Sequence, residues 1–317
     1  GHWIEDHRVI PNMMFNTETL WKYSFKTTQK KQDWWDSGVL PSLLWLVTTL
    51  QGNKATFLHY PRGAAKYQGE AVQRSLMEPH THPNGNETEW ANIDLIRNWF
   101  IKEFDSGTLY CEEPDNTGRQ FRPKMENRKA AERHSLMECL NVIITLDHGV
   151  TTVKKNPDIN EILLTNYLKF RDFVKFDIMD SGGSGMLLPK PGHEEGLYQV
   201  LKNAHHHLNI YKKEEFPEHF HFAKHEWVLL IVMYANSGYN INRQIILYFN
   251  KGDHGFDNVL TDMKTIFRAL GPDFKKNHLT EPFDSVHIYP LMCKLLGITL
   301  EPHTGSLAVT HEMLMDS

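Results

Sequence analysis

The chain has 317 residues, of which 40% are hydrophobic and 23% are charged, and its formal net charge is -5 at pH 7. This composition excludes an intrinsically disordered chain and provides for one large α/β domain or two ordinary ones. Acidic and basic residues are mixed along the chain without a basic stripe, so we expect no nucleic-acid partner and favour a small molecule or lipid. The three cysteines are too few for a disulfide scaffold.

Membrane and secretion signals are weak in this sequence. The longest apolar stretches, such as residues 227–234, are much shorter than the about 20 residues that cross a bilayer. No charged-then-apolar leader follows Gly1, and we expect the chain to be a fragment of a longer protein. Asn86-Glu87-Thr88 is a glycosylation sequon in a polar stretch, although such sequons also arise by chance.

The first half of the chain alternates helical and strand patterns. Apolar spacing predicts a helix over residues 90–100, followed by a strand at 108–110 and an acidic turn at 112–115. The charged segment 124–133 predicts a short helix. The β-branched, apolar segment 141–146 then predicts a buried parallel strand.

Helical spacing of apolar residues predicts three helices in the second half, at 197–204, 263–270 and 291–296. The second helix would end at Gly271-Pro272, and Pro290 would open the third, since proline is tolerated in the first turn. One compact domain is the simplest interpretation, because no linker or repeat divides the chain.

Two Asp-His-Gly triplets follow predicted strands. Asp147-His148-Gly149 comes directly after the strand at 141–146. Asp253-His254-Gly255 comes after two further predicted strands, at 228–234 and 244–249. Carboxylates and imidazoles at the carboxyl ends of parallel strands are suitable zinc ligands, so the triplets predict a metal site. The alternative is that Asp and Gly are ordinary turn residues.

The sequence also contains two other histidine groups. His205-His206-His207 lies at the polar end of a predicted helix, and we interpret it as a solvated face instead of a metal cluster. His219, His221 and His225 lie in a predicted loop, and we expect them to be surface groups.

Seven motifs in order resemble the ectonucleotide pyrophosphatase/phosphodiesterase family, with the greatest likeness to its intestinal alkaline sphingomyelinase branch. They occupy residues 34–38, 60–63, 67–69, 113–118, 145–149, 252–258 and 291–297. The resemblance implies an α/β, alkaline-phosphatase-like three-layer fold with a mostly parallel central sheet. It implies one phosphodiesterase-like catalytic domain over residues 1–317, incomplete at the N-terminus and lacking the first strand, from an extracellular or cell-surface protein.

The resemblance also implies a zinc-dependent hydrolase of sphingomyelin or a related phosphocholine ester. Asp147 and His148 match ligands of the zinc ion that activates a threonine nucleophile, and Asp115 and His254 match ligands of the second zinc ion. Tyr110 matches an aromatic position beside the substrate pocket, where it could contact choline by a cation-π interaction. The alternative for Tyr110 is a core aromatic at the end of a strand.

The sequence departs from the family pattern at three places. Arg119 stands where the family has a histidine ligand, and a guanidinium has no lone pair for zinc. The threonine nucleophile and one aspartate ligand precede the segment that residues 1–7 resemble, and the stretch 122–141 is shorter than in the family. We therefore expect impaired activity. The alternatives are an inactive relative that binds a lipid headgroup or a protein partner, and a truncated gene product. Contact with a membrane surface is expected only through the substrate or a C-terminal anchor.

Overall fold

The computed structural model of the chain describes residues 3–7, 13–19, 22–24, 44–53, 55–58, 74–76, 107–113, 140–146, 148–153, 160–180, 182–243 and 252–316. Two compact units can be distinguished. The first comprises mainly Gln29–Thr145 and Ile266–Ser317, and the second comprises Trp3–Thr28 and Leu146–Thr265. The single-domain interpretation of residues 1–317 stays a prediction.

The described elements are numbered in chain order. The helices are α1 Ile4–His7, α2 Leu44–Leu50, α3 Phe170–Phe173, α4 Glu194–Lys202, α5 Ile288–Leu296 and α6 Leu307–Thr310. The strands are β1 Met13–Phe15, β2 Lys22–Ser24, β3 Thr56–Leu58, β4 Arg74–Leu76, β5 Gly107–Glu113, β6 Leu140–Leu146, β7 Thr151–Thr152, β8 Glu161–Leu163, β9 Val174–Asp180, β10 Ser184–Pro189, β11 Leu208–Lys212, β12 Ile231–Ala235, β13 Asn240–Asn242, β14 Gly252–Asp253 and β15 Phe267–Leu270.

The second unit contains a four-stranded antiparallel sheet with the order β11-β12-β10-β9. Its strands are rich in β-branched and other apolar residues, and Ile231 and Met233 of β12 are almost fully buried. Helix α4 packs beside them through Leu197 and Leu201, four residues apart on one face. The helix predicted at 197–204 is thereby confirmed, and the strand predicted at 228–234 is confirmed from residue 231 onwards.

Three small ladders also belong to the described part of this unit. Strands β1 and β2 pair antiparallel. Strands β8 and β13 pair in parallel, with Asn240 opposite Glu161 and Asn242 opposite Leu163. Strands β7 and β14 pair antiparallel over two residues each.

The first unit contains a sheet with the order β15-β6-β5. Strand β6 confirms the strand predicted at 141–146, and Ile143 is fully buried against Leu291 of α5. Its pairing with β15 is antiparallel, in contrast to the parallel arrangement expected for this strand. Strand β5 contains the predicted strand 108–110 and extends to Glu113.

The helix predicted over residues 263–270 is wrong. Residues 261–263 form a single 3-10 turn, and residues 267–270 form strand β15. Phe267 and Ala269 pack against the core while Arg268 is exposed, which is the two-residue period of a strand. The edge of β6 accepts this segment, so pairing with β6 overrides the helical spacing.

The last predicted helix, at 291–296, is confirmed by α5. Pro290 lies in the first turn of α5, where the missing N–H would have no helical acceptor. The helix ends at Gly297, whose φ of 64° is the left-handed conformation of a common C-cap.

Several predicted features lie outside the described residues. They are the helices at 90–100 and 124–133, the strand at 244–249, the sequon residue Asn86, and Asp115, Arg119 and Asp147. Within the described part of the chain, no helix is both long and apolar enough to span a membrane.

Candidate metal centre

The short ladder between β7 and β14 brings the two triplets together. Asp253 pairs with Thr151, so the residues that follow the first triplet lie beside the second. The imidazole rings of His148 and His254 stack with their centroids 3.8 Å apart and their planes inclined by 22°. Two histidines that are distant in the sequence therefore form one cluster.

Local hydrogen bonding fixes the tautomer of His148. Its Nδ1 lies 2.8 Å from the carbonyl oxygen of Gly149. Because a carbonyl oxygen can only accept, Nδ1 carries the proton and Nε2 carries the ring's lone pair in the neutral imidazole. Gly149 is itself anchored, since its N–H donates to the Met263 carbonyl at 3.0 Å.

The backbone of His254 is held at both of its polar groups. Its N–H donates to Asp253 Oδ1 at 3.0 Å, and its carbonyl accepts the N–H of Gly183 at 3.0 Å. The next residue, Gly255, has a φ of 82°, a conformation that residues with a side chain rarely adopt. The chain direction at the second triplet is therefore well defined.

The aspartate of the second triplet is a hydrogen-bonded, buried group. Asp253 is only 8% exposed, and its Oδ2 accepts a hydrogen bond from Asn240 Nδ2 at 2.8 Å. The sequence places Asp253 in a triplet that predicts a metal site, but it gives no indication that Asn240 belongs to the same site. The one feature of the sequence that could have pointed to Asn240 is the pattern of two asparagines, Asn240 and Asn242, on either side of an apolar residue.

The predicted site residues divide into three groups. His148 and His254 are brought together. Asp115 and Asp147 lie outside the described residues, and Tyr110 lies on β5 without a described side chain. The described residues contain no group of three or more metal-binding side chains.

The chemistry of the described donors fits zinc. Imidazole nitrogen is a preferred zinc donor, and a second hydrogen bond that fixes the ring is the usual accompaniment of a histidine ligand. The bond from His148 Nδ1 to the Gly149 carbonyl is of this kind. His148 and His254 are suitable as two members of a larger ligand set.

The prediction that His225 is a surface group is wrong. Its side chain is buried, with Nδ1 accepting the N–H of Trp227 at 3.2 Å and its ring edge-on to the Trp227 ring. The Lys213 ammonium donates to the His225 carbonyl at 2.7 Å, and burial lowers the pKa of Lys213. His219 is exposed as predicted, whereas His221 is half-buried and stacks on Trp3.

The triple histidine is only partly a solvated face. His206 is exposed, but His205 and His207 are half-buried, and His207 stacks on Tyr239 at 4.0 Å. His205 Nδ1 accepts the N–H of His207 at 3.1 Å. Desolvation, followed by the charges of His206 and His207, lowers the pKa of His205.

Comparison with known proteins identifies the family. Residues 1–257 match the model of the type I phosphodiesterase / nucleotide pyrophosphatase family. The chain is also 44% identical over 332 residues to ectonucleotide pyrophosphatase/phosphodiesterase family member 7 of Rattus norvegicus, covering 99% of this chain and 75% of that protein. The chain belongs to the ectonucleotide pyrophosphatase/phosphodiesterase family. The human family member 7 is 45% identical over 99% of the chain and 72% of its own length.

Solved structures of the family confirm the alkaline-phosphatase-like α/β fold. Human ectonucleotide pyrophosphatase/phosphodiesterase 5 has a TM-score of 0.85 and 27% identity, covering 99% of this chain and 85% of that one. The murine protein, in an inactive threonine-to-alanine form in complex with AMP, has a TM-score of 0.84 with the same coverage. The alignment with the rat relative is longer than the 317 residues of this chain, so the relative has residues that the chain lacks.

Proposed function

We propose that this family member is a zinc-dependent phosphodiesterase domain of the sphingomyelin type, and that its site is impaired. The observation that supports this proposal is the pair of stacked imidazoles, His148 and His254, beside a buried carboxylate. Identity of 44% to family member 7 and the motifs shared with the alkaline sphingomyelinase branch support the lipid substrate.

In this proposal Asp147 and His148 hold one zinc ion, and Asp115 and His254 hold the other. When bound, two zinc ions neutralise charge on the phosphoryl group and activate the attacking hydroxyl. His148 contributes an imidazole whose tautomer is already set by the Gly149 carbonyl, which reduces the cost of ordering the ring. In the same proposal, Tyr110 is the aromatic residue assigned to the trimethylammonium group of the substrate, as the resemblance to the family implies.

The impairment follows from Arg119. A permanently protonated guanidinium in place of a histidine removes a donor from the zinc ion of Asp115 and His254, and it repels that cation. We expect fewer than two zinc ions per polypeptide and no measurable hydrolysis of a chromogenic phosphocholine diester.

Zinc titration of the purified 317-residue polypeptide tests the proposal. His148→Gln and His254→Gln should each weaken zinc binding by more than about tenfold, because each removes a ligand. His206→Gln, in the exposed triple histidine, is the matched control and should leave zinc binding unchanged. Equal effects of all three changes would contradict the metal site. Zinc-dependent turnover that a chelator abolishes would contradict the proposed impairment, although it would support the phosphodiesterase function.

A second candidate function is binding of a phosphocholine headgroup without turnover, which Arg119 favours because a guanidinium can pair with phosphate. Calorimetry with phosphocholine distinguishes the two candidates. Binding that persists after zinc is removed and is lost in Arg119→Ala supports a non-catalytic relative.

Secretion and glycosylation also belong to the proposal. We infer an extracellular or cell-surface protein that carries a glycan on Asn86. Expression behind a secretory leader should give a product whose mass decreases on treatment with an N-glycosidase, and Asn86→Gln should abolish that decrease. An unmodified secreted product would contradict the glycan.

A further inference from the structure

A buried relay of hydrogen bonds ends at the second triplet histidine. Asn240 Nδ2 donates to Asp253 Oδ2 at 2.8 Å, and Asp253 Oδ1 accepts the His254 N–H at 3.0 Å. We propose that Asn240 and Asp253 are positioning residues that fix His254 for its part in the site. The proposal rests on the proposed function, because it concerns a predicted ligand.

The position of Asn240 is set by its strand. Asn240 lies on β13, is 5% exposed, and its backbone N–H donates to the Asn160 carbonyl at 2.9 Å. Because a carboxylate can only accept, the amide nitrogen of Asn240 must face Asp253. Asn240, on the ladder of β8 and β13, therefore donates a hydrogen bond to Asp253, on the ladder of β7 and β14.

The side-chain oxygen of Asn240 makes this asparagine unfavourable for stability. Its Oδ1 is buried and has no hydrogen-bond partner among the described residues. An unsatisfied buried acceptor is unfavourable, and a small apolar residue at this position would avoid it. The hydrogen bond that the amide nitrogen donates to Asp253 is therefore the reason for an asparagine at this position.

The effect of the relay on His254 is geometric. Asp253 holds the backbone N–H of His254, and Gly183 holds its carbonyl, so the Cα–Cβ direction of His254 is determined from both sides. The ring then needs only a rotamer choice to stack on His148 at 3.8 Å. Without the Asn240 donor, the Asp253 carboxylate can rotate and release the His254 N–H.

The same strand provides a matched control. Asn242 is also 5% exposed, and its Nδ2 also donates to a carboxylate, that of Glu161, which belongs to neither triplet. Asn240→Ala and Asn242→Ala remove similar interactions from one strand. If Asn240 only stabilised the fold, the two changes would have equal effects on His148 and His254.

The experiment uses the full 317-residue chain without metal and labelled at histidine. Imidazole resonances of His148 and His254 are assigned with His148→Gln and His254→Gln. We expect Asn240→Ala to move both sets of resonances and Asn242→Ala to leave them in place. Unmoved resonances in Asn240→Ala, or equal movement in Asn242→Ala, would overturn the proposal.

A second variant protects the test against misfolding. The double change Asn240→Asp with Asp253→Asn exchanges donor and acceptor while keeping the acceptor for the His254 N–H, and it should restore the wild-type resonances. Failure of this rescue in a folded protein, judged by its thermal midpoint, would also overturn the relay.

Zinc titration of the same samples separates this inference from the proposed function. We expect about tenfold weaker zinc binding in Asn240→Ala and no change in Asn242→Ala. If the resonances respond as expected but the wild-type chain does not take up zinc, the relay stands and the proposed metal function fails. If zinc binds equally to wild type and Asn240→Ala, the positioning function fails.

Discussion

The two triplet glycines are required for different physical reasons. A Cβ atom on Gly149 would lie 1.9 Å from the Asp262 carbonyl oxygen, far inside van der Waals contact. Gly255 instead has a φ of 82°, which a side chain would strain. The repeated Asp-His-Gly pattern therefore reflects close backbone packing in one copy and backbone conformation in the other.

We expect Gly149→Ala to destabilise the chain by roughly 2 to 3 kcal/mol, because the obstructing atom belongs to the backbone and cannot move away by a rotamer change. Urea denaturation followed by circular dichroism measures the loss. The change should also displace His148, which precedes it directly.

Gly196 provides the control for Gly149. It lies inside α4, where an added Cβ would be in ordinary contact, 3.5 Å from the Phe173 ring. We expect Gly196→Ala to stabilise the chain by about 1 kcal/mol, since alanine is the better helix former. A stability loss in Gly196→Ala like that in Gly149→Ala would show that the tight contact at Gly149 is not the cause.

His205 predicts a pH effect on stability. Its pKa is lowered in the folded chain, chiefly by desolvation, so the unfolded chain binds the proton more readily. Stability should therefore fall as the pH decreases below about 6.5, the usual histidine value, towards the lower folded pKa. We expect a smaller decrease of the thermal midpoint between pH 7.5 and 5.5 in His205→Asn.

The asparagine is a suitable replacement because its amide oxygen can still accept the His207 N–H that His205 Nδ1 accepts now. Any remaining pH dependence then comes from the other histidines. Identical pH slopes for wild type and His205→Asn would contradict the assignment to this ring.

At the scale of elements, α4 shows how an amphipathic helix is anchored. Leu197 and Leu201 are 0% exposed, whereas Val200, at the edge of the same apolar face, is 38% exposed. We expect Leu197→Ala to cost about 2 to 5 kcal/mol through lost burial and a residual cavity. Val200→Ala should change the free energy of unfolding by less than about 1 kcal/mol. Similar losses at the two positions would contradict the assigned burial.

Helices and strands with several consistent signals could be predicted from the sequence. Strand β6 is continuous in β-branched and apolar residues, and α4 repeats its apolar face over two turns. Strand β15 could not be predicted, because it has four residues and its state depends on an edge of β6 that lies far away in the sequence. Burial of His225 was equally hidden, since its hydrogen bonds depend on tertiary packing.

The histidines of the candidate site could be predicted from the sequence, but the residues that orient them could not. The triplets and the strand-end rule pointed to His148 and His254 together. Nothing in the local sequence indicates that Asn240 would reach Asp253, because this contact joins two separate ladders. Residue types indicate candidate ligands, whereas the groups that orient them are found only in three dimensions.

At the scale of the whole molecule, the proposed metal content can be tested at residue 119. We expect Arg119→His to raise the zinc content of the 317-residue polypeptide, because it supplies a neutral donor where a cation stands. Arg122→His, three residues away, is the control and should have no effect. Atomic absorption after dialysis measures the zinc, and equal content in both variants would contradict the ligand assignment at residue 119.

The ladder of β7 and β14 has a consequence for folding. It joins segments about 100 residues apart through two residue pairs, and the complete four-stranded sheet lies in the chain between them. Closing so long a loop costs more conformational entropy than pairing β9 with β10, which follow each other directly in the chain. We therefore expect the sheet to form before the histidine pair is assembled, so that loss of the pair would leave the sheet able to fold.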